Sequence, residues 1–293
     1  MSKVGRIIAI VQARMGSSRL PGKVLLDVAG EPMIVRVVER IRRAQTIDSV
    51  TVATTTEASD GAIADLCAAR GYLCYRGSLH DVLDRCYQAA LKFQADVVVR
   101  ITADCPLIDS ALIDEVVNLL VTSHQSPVTG TDHCSLLTDH LDFVANRLPP
   151  PWQRTYPIGL DTEACTFVAL ERAWKEATEP YHREHVMPYL YEGTHLAPRT
   201  SHLALGTSPC GFHIALLHHD PDYGSLRWTV DTAEDLELVR QVYARFGNRD
   251  DFSWRDVLAL FEREPELAQI NVAVRHKTAF DVDARRNLPD QEP

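Results

Sequence analysis

The chain contains neither of the two common phosphate-binding signatures: G-x-x-x-x-G-K-[ST] and G-x-G-x-x-G are both absent from its 293 residues. A P-loop or dinucleotide-type phosphate cradle is thereby excluded. No apolar run approaches the roughly 18 residues of a membrane span, which predicts a protein off the membrane. No basic–apolar–small cleavage pattern precedes the first strand, and the seven cysteines form no short-spaced pairs. A cytoplasmic chain with reduced thiols is the expectation. His182-Arg183-Glu184-His185 matches neither H-E-x-x-H nor H-x-x-E-H, so a zinc site is not expected there. Positive charge is also short: 30 Lys and Arg stand against 40 Asp and Glu, a formal charge of −10. That balance argues against a polynucleotide partner. Hydrophobic content of 45% with 24% charge is ordinary for a globular protein able to bury a large core.

The scarce cations are unevenly placed. Residues 1–43 carry nine Lys and Arg against three Asp and Glu. Arg36, Arg40 and Arg43 fall at helical spacing opposite Met33, Ile34, Val37, Val38 and Ile41, and the pattern predicts them on a solvated face. The others behave differently. The apolar run Ile7–Val11 ends in Gln12-Ala13-Arg14-Met15-Gly16-Ser17-Ser18-Arg19-Leu20-Pro21-Gly22-Lys23. Small residues let backbone N–H groups approach an anion, and Arg14, Arg19 and Lys23 neutralise it. A strand followed by such a loop predicts a small-polyanion site.

Strand and helix patterns alternate through the first half. Strands are predicted at Val50–Thr54 and Asp96–Ile101, and Tyr72–Tyr75 is a short apolar run. Helices are predicted at 31–44, from Ser59 to Gly71, from the Ser78/Asp81 start to Phe93, and over Leu112–Val121. Such alternation predicts an α/β fold with a mostly parallel, doubly wound sheet. Ligands then bind beyond the carboxyl ends of the strands, where Ala13–Lys23, Thr54–Ser59 and Thr102–Pro106 gather. The expected organisation is a nucleotide-binding half at 1–122, a polar insertion and connector at 123–151, a second half of the same domain at 152–273, and a tail at 274–293. The second half contains strand-like Gly159–Cys165, a helix at Phe167–Ala177 and strand-like segments around 195–217. A strand at Leu226–Val230 and helices at Ala233–Phe246 and Trp254–Glu264 complete it.

Asp104 follows one buried strand and Asp231 ends another. Two carboxylates meeting across a sheet edge suit Mg²⁺, which takes one or two of them plus phosphate oxygens and water. The competing role is helix capping, by Asp104 near Ser110 or by Asp231 or Thr232 before Ala233. Cys105, beside Asp104, is expected to be a small buried thiol.

Six collinear segments resemble the spore-coat-polysaccharide type of cytidylyltransferase. They are Val11–Lys23, Arg76-Gly77-Ser78 with Asp81–Arg85, Arg100–Asp109, Tyr156–Glu163, Arg183–Val186 and Arg227–Thr232. The family is related to the acylneuraminate and CMP-Kdo synthetases. The resemblance implies a glycosyltransferase-A-like nucleotidyltransferase fold and transfer of CMP from CTP to a small anionic acceptor, with pyrophosphate released. It implies catalytic roles for Arg14, Lys23, Asp104 and Asp231, the two aspartates holding Mg²⁺. Nucleotide contacts would come from Ala13, Gly16, Ser17, Ser18, Arg19, Thr54, Thr55, Arg76, Gly77 and Ser78. The acceptor would meet Tyr156, Asp161, Glu163, Arg183, Glu184 and His185, with Arg183 as an anion clamp and His185 a general base for an alcohol acceptor. The related synthetases imply a homodimer. Thr102-Ala103-Asp104-Cys105-Pro106 departs from the CMP-Kdo and sialic acid enzymes, so their acceptor specificity does not carry over. An acidic sugar, a phosphonate and a sugar phosphate all remain open as acceptors. A nucleotide-sugar glycosyltransferase would need a D-x-D beside the Asp104 strand, and Asp281-Val282-Asp283 lies far along the chain.

Overall fold

A computed structural model describes residues 5–124, 140–199 and 202–275. The strands are β1 (Ile7–Gln12), β2 (Asp27–Val28), β3 (Glu31–Pro32), β4 (Ser49–Thr55) and β5 (Leu73–Gly77). They continue with β6 (Val97–Thr102), β7 (Phe143–Ala145), β8 (Glu163–Thr166), β9 (Leu203–Thr207) and β10 (His213–Leu217). The helices are α1 (Met33–Ile41), α2 (Gly61–Arg70), α3 (Val82–Lys92), α4 (Ser110–Ser123) and α5 (Phe167–Glu176). Then come α6 (Pro180–His185), α7 (Pro188–Tyr191), α8 (Ala233–Arg245) and α9 (Trp254–Arg263).

Among the described residues, eight strands form one sheet in the order β5-β4-β1-β6-β8-β7-β10-β9. β5, β4, β1 and β6 are mutually parallel, β8 runs against its neighbours β6 and β7, and β9 runs against β10. The sheet is therefore mixed but mostly parallel, as the alternating pattern predicts. Alternate residues of β1 feed two separate cores. Ile7, Ala9 and Val11 face one layer of helices, while Ile8 and Ile10 face the other. From β1 the chain moves out to β4 and β5, then returns to β6 on the other side of β1. The point where the order reverses lies between the carboxyl ends of β1 and β6, where such sheets open a crevice. The loops carrying Arg14 and Asp104 flank that point.

Several elements differ from the expectation. The predicted strand at Leu226–Val230 is an extended segment with one bridge, Arg227 to Ile158, and not a sheet member. Asp81 is the N-cap of α3, accepting from the Asp84 amide at 2.8 Å, while Ser78 accepts from the Asp81 amide one step earlier. Ser59 lies in a short 3-10 turn and α2 begins at Gly61. Residues 122 and 123, expected at the edge of the polar insertion, complete α4. Residues 125–139 of that insertion and 276–293 of the tail lie outside the described residues.

The solvated arginine face also needs correction. Arg43 is exposed, but Arg36 and Arg40 are buried. Arg40 donates to the carbonyls of Ile108, Asp250 and Phe252, and Arg36 to those of Val28, Ala29 and Asn248 and to the Asp250 carboxylate. A guanidinium has five fixed donors and can cross-link several chain segments where carbonyls converge. Among the described residues, no helix is long and apolar enough to cross a membrane.

Candidate active site

At the carboxyl edge, Gln12–Arg14, Gly16–Arg19 and Lys23 form one wall of a cavity of about 280 Å³. Thr102, Ala103, Asp104, Glu184 and Asp231 close the other. The sequence-predicted Ala13, Arg14, Gly16, Ser17, Ser18, Arg19, Lys23, Asp104 and Asp231 are thus gathered in one place. The loop returns on itself through Ser17 and Gly22 amides that both donate to the Met15 carbonyl at 2.9 Å. Gly22 adopts φ +70°, a left-handed conformation that glycine takes without a steric cost.

Asp104 and Asp231 are 127 positions apart and are joined through the backbone: the Val230 amide donates to the Asp104 carbonyl at 2.9 Å, and the Thr229 hydroxyl at 3.0 Å. Neither aspartate caps a helix. Asp109 caps α4, and Thr232 caps α8 in a capping box with Asp235. Both site carboxylates therefore stay turned to the cavity. The Lys23 ammonium bridges them, 2.7 Å from Asp104 Oδ2 and 2.8 Å from Asp231 Oδ1. Burial works to raise the Asp231 pKa, but the charge and hydrogen bond of Lys23, with Arg227 and Arg19, hold it well below the usual carboxylate range. Burial alone would lower the Lys23 pKa, and its attraction to Asp104 and Asp231 raises it instead. The Asp231 carboxylate therefore stays ionised at neutral pH. Two hard oxygen donors converging on one cation-sized position fit Mg²⁺ completed by phosphate oxygens and water.

Asp235, absent from the expected site, sits beneath it. It is fully buried and pairs with Arg227 at 2.9 and 3.0 Å while accepting from the Asp231 and Thr232 amides. Arg227 in turn donates to Asp231 Oδ2 at 2.7 Å. The only trace of this hub in the sequence is the Thr232/Asp235 capping-box spacing. Asp60, also buried, joins the Met15 amide to Thr55.

The looser parts of the expectation are relocated. Thr54 and Thr55 are buried at the end of β4, and neither lines the cavity. Arg76 is engaged with the Thr55 and Glu57 carbonyls at 2.9 and 2.8 Å, so it braces that loop. Gly77 and Ser78 hold neighbouring backbone and lie outside the cavity: the Gly77 carbonyl accepts from Thr56, and the Ser78 carbonyl from the fully buried Arg85.

On the acceptor side only Glu184 lines the cavity. His185 follows it at the end of α6, with Nε2 at 3.9 Å from the Glu184 carboxylate. Glu163 pairs with Arg100, whose guanidinium donates to the Gln12 side chain at 3.0 and 3.2 Å, one step behind the wall. Asp161 is matched to the Arg154 guanidinium. Tyr156 is buried against Trp254 and His219 and packs the core. Arg183 is not placed as an anion clamp. Its guanidinium is committed to Asp81 and to the Trp174 carbonyl, which fastens α6 to the start of α3. Cys105 is buried, and burial pushes its thiol well up, the nearby Asp104 charge adding to the effect. It is a packing thiol.

The chain is similar to known proteins over most of its length. The sequence profile of the cytidylyltransferase family matches residues 8–246. An uncharacterized protein of Methanocaldococcus jannaschii is 34% identical over 281 residues, spanning 95% of this chain and 99% of that one. The spore coat polysaccharide biosynthesis protein SpsF of Bacillus subtilis is 29% identical over 266 residues, 89% of this chain and 96% of that one. The solved structure of a cytidylyltransferase from Leptospira borgpetersenii superposes with a TM-score of 0.75 at 29% identity, over 92% of this chain and 99% of that one.

Proposed function

Starting from a chain that belongs to the cytidylyltransferase family of nucleotidyltransferases, we propose that its cavity takes CTP and transfers CMP to an acidic sugar or related small anionic acceptor. The observation that carries this reading is the cationic Gly/Ser loop facing Asp104 and Asp231 across one cavity. The loop after β1 offers backbone amides, two serine hydroxyls and the guanidinium groups of Arg14 and Arg19 to a triphosphate. The facing aspartates are the position for Mg²⁺, which when bound neutralises negative charge on the α-phosphate and on the attacking oxygen.

In this reading the acceptor oxygen attacks the α-phosphorus in line. The new P–O bond forms as the bond to the β-phosphate bridge breaks, and pyrophosphate leaves with its charge stabilised by Arg14 and Arg19. The acceptor proton passes to solvent or to an adjacent base, for which His185 beside Glu184 is the candidate. Catalysis of this kind rests on positioning and fixed charge. Residues 1–122 would hold the nucleotide, and 152–273 would present the acceptor through Glu184 and supply Asp231.

SpsF is named for polysaccharide biosynthesis, which favours a sugar acceptor over a phosphonate or sugar phosphate. The test is pyrophosphate release with Mg²⁺ and CTP, UTP, ATP or GTP against pooled sugar acids, sugar phosphates and hydroxyalkyl phosphonates. Acceptor-dependent release with CTP, lost in Asp104→Ala, is the expected result. Turnover of a nucleotide-sugar without pyrophosphate release in any pool would replace this reading with a glycosyltransferase.

A further inference from the structure

A lysine ammonium has three N–H donors and no acceptor. In Lys23 all three are used within the site, on Asp104 Oδ2 at 2.7 Å, the Val230 carbonyl at 2.8 Å and Asp231 Oδ1 at 2.8 Å. None remains for a phosphate oxygen. The role expected for Lys23 from the loop's composition, neutralising a bound anion, is therefore incompatible with the partners it holds here.

The carboxylate oxygens not held by Lys23 are also occupied. Asp104 Oδ1 accepts from the Thr102 hydroxyl at 2.6 Å, and Asp231 Oδ2 is held by Arg19 and Arg227, each at 2.7 Å. The two oxygens that face each other across the site, and that a ligand shared by Asp104 and Asp231 would bridge most directly, are the ones Lys23 holds. Mg²⁺ sits about 2.1 Å from its oxygen ligands, which puts a shared dication in the gap where the ammonium stands. Two cations do not fit there.

We infer that Lys23 is the resident cation of the dication position: it keeps Asp104 and Asp231 together without metal, and gives up at least one of them when metal and nucleotide enter. Its backbone lies at the end of the phosphate-facing loop, in the 3-10 turn Lys23–Leu25 after Gly22. A four-carbon stem lets the released head reach toward a triphosphate seated on that loop. Lys23 then couples the two loading events: metal displaces the ammonium, and the freed donors meet the phosphates. This deepens the proposed function and rests on it for the identity of the cation and nucleotide.

The experiment is a Mn²⁺ titration of the full chain without nucleotide, reading free Mn²⁺ by electron paramagnetic resonance. Lys23→Met keeps the stem and removes the charge, and it should bind Mn²⁺ at least about tenfold more tightly than the unmodified chain. Lys23→Arg should stay weak, and Lys23→Met with Asp104→Asn should lose the gain. Lys23→Gln, with a neutral polar head, serves the same purpose if Lys23→Met does not fold. Equal or weaker Mn²⁺ binding by a folded neutral variant overturns the inference and makes Lys23 a fixed scaffold. Because no nucleotide or acceptor is present, this outcome is separate from the pyrophosphate assay: tighter Mn²⁺ binding without CTP turnover would sink the activity, and the reverse would sink only the displacement.

Discussion

The Asp60 carboxylate accepts a hydrogen bond from the Met15 amide at 2.7 Å, tying the loop after β1 to the end of β4 across 45 positions of sequence. Its other oxygen accepts from the amide and hydroxyl of Thr55. A buried carboxylate holding a loop from both sides fixes where the loop amides point, and small misplacements of such groups are costly in catalysis. Asp60→Ala should raise the CTP KM roughly tenfold and affect kcat less, because the lost element is nucleotide positioning. Asp60→Asn, which keeps one acceptor, should recover part of the loss. Steady-state kinetics on the three proteins decides it; an equal fall in kcat with unchanged KM would remove the positioning role.

Gly159 stands at φ +106°, where a Cβ would lie 2.6 Å from the Thr229 amide nitrogen and 2.7 Å from the Trp228 carbonyl carbon. Neither can move freely, because the Trp228 amide is bonded to the Ile158 carbonyl at 2.7 Å and the next residues lead to Asp231. Gly159→Ala should destabilise the fold by at least about 2 kcal/mol through strain and displacement of this segment. Urea unfolding measures it; a change under about 0.5 kcal/mol would show that the segment gives way.

Burial opposes ionisation of Asp235, but hydrogen bonds from Arg227, Asn271 and the Asp231 amide hold its pKa below the ordinary carboxylate value. A group depressed in the folded state contributes stability that is present above its unfolded pKa of about 3.9 and is lost as pH falls through the folded value. Melting temperature should therefore decline below about pH 4 in the unmodified chain. Asp235→Asn should melt lower at pH 7, by about 1–3 kcal/mol, because Arg227 loses its charged partner at Asp235 while keeping Asp231, with a flatter profile below pH 4. Parallel pH profiles for the two proteins would expose the error.

The thiols of Cys67 on α2 and Cys74 on β5 share a hydrogen bond, which brings Cys74 down to about 7 against the opposing effect of burial, with Arg76 and Lys92 contributing. The thiolate is the nucleophile. Alkylation of Cys74, followed by peptide mass mapping, should rise through pH 7, and Cys67→Ala should move the midpoint up toward about 8.5. A midpoint unmoved by Cys67→Ala would leave the pairing without effect on reactivity.

Local chemistry decided much of this protein from sequence alone. The apolar run ending in Gly and Ser defined β1 and the loop after it, because strand length, small residues and fixed cations are all local properties. Period-3.6 patterns located α1, α3, α4, α5, α8 and α9, although their caps shifted by a few residues. The Leu226–Val230 pattern read as a strand because extended backbone with buried Trp228 and Val230 looks the same whether or not it joins a sheet. Arg36 and Arg40 read as solvent-facing because a helical pattern cannot show the carbonyls of residues 108, 248, 250 and 252 arriving from elsewhere in the chain. Arg183 reads as a free cation for the same reason: its partner Asp81 is 102 positions away, and only packing of α6 on α3 commits the guanidinium. The sequence thus determined which charged and small residues follow the strands at one sheet edge. The tertiary structure decided which of them already hold one another, because ion pairs and buried hydrogen bonds depend on distances between segments that no local pattern encodes.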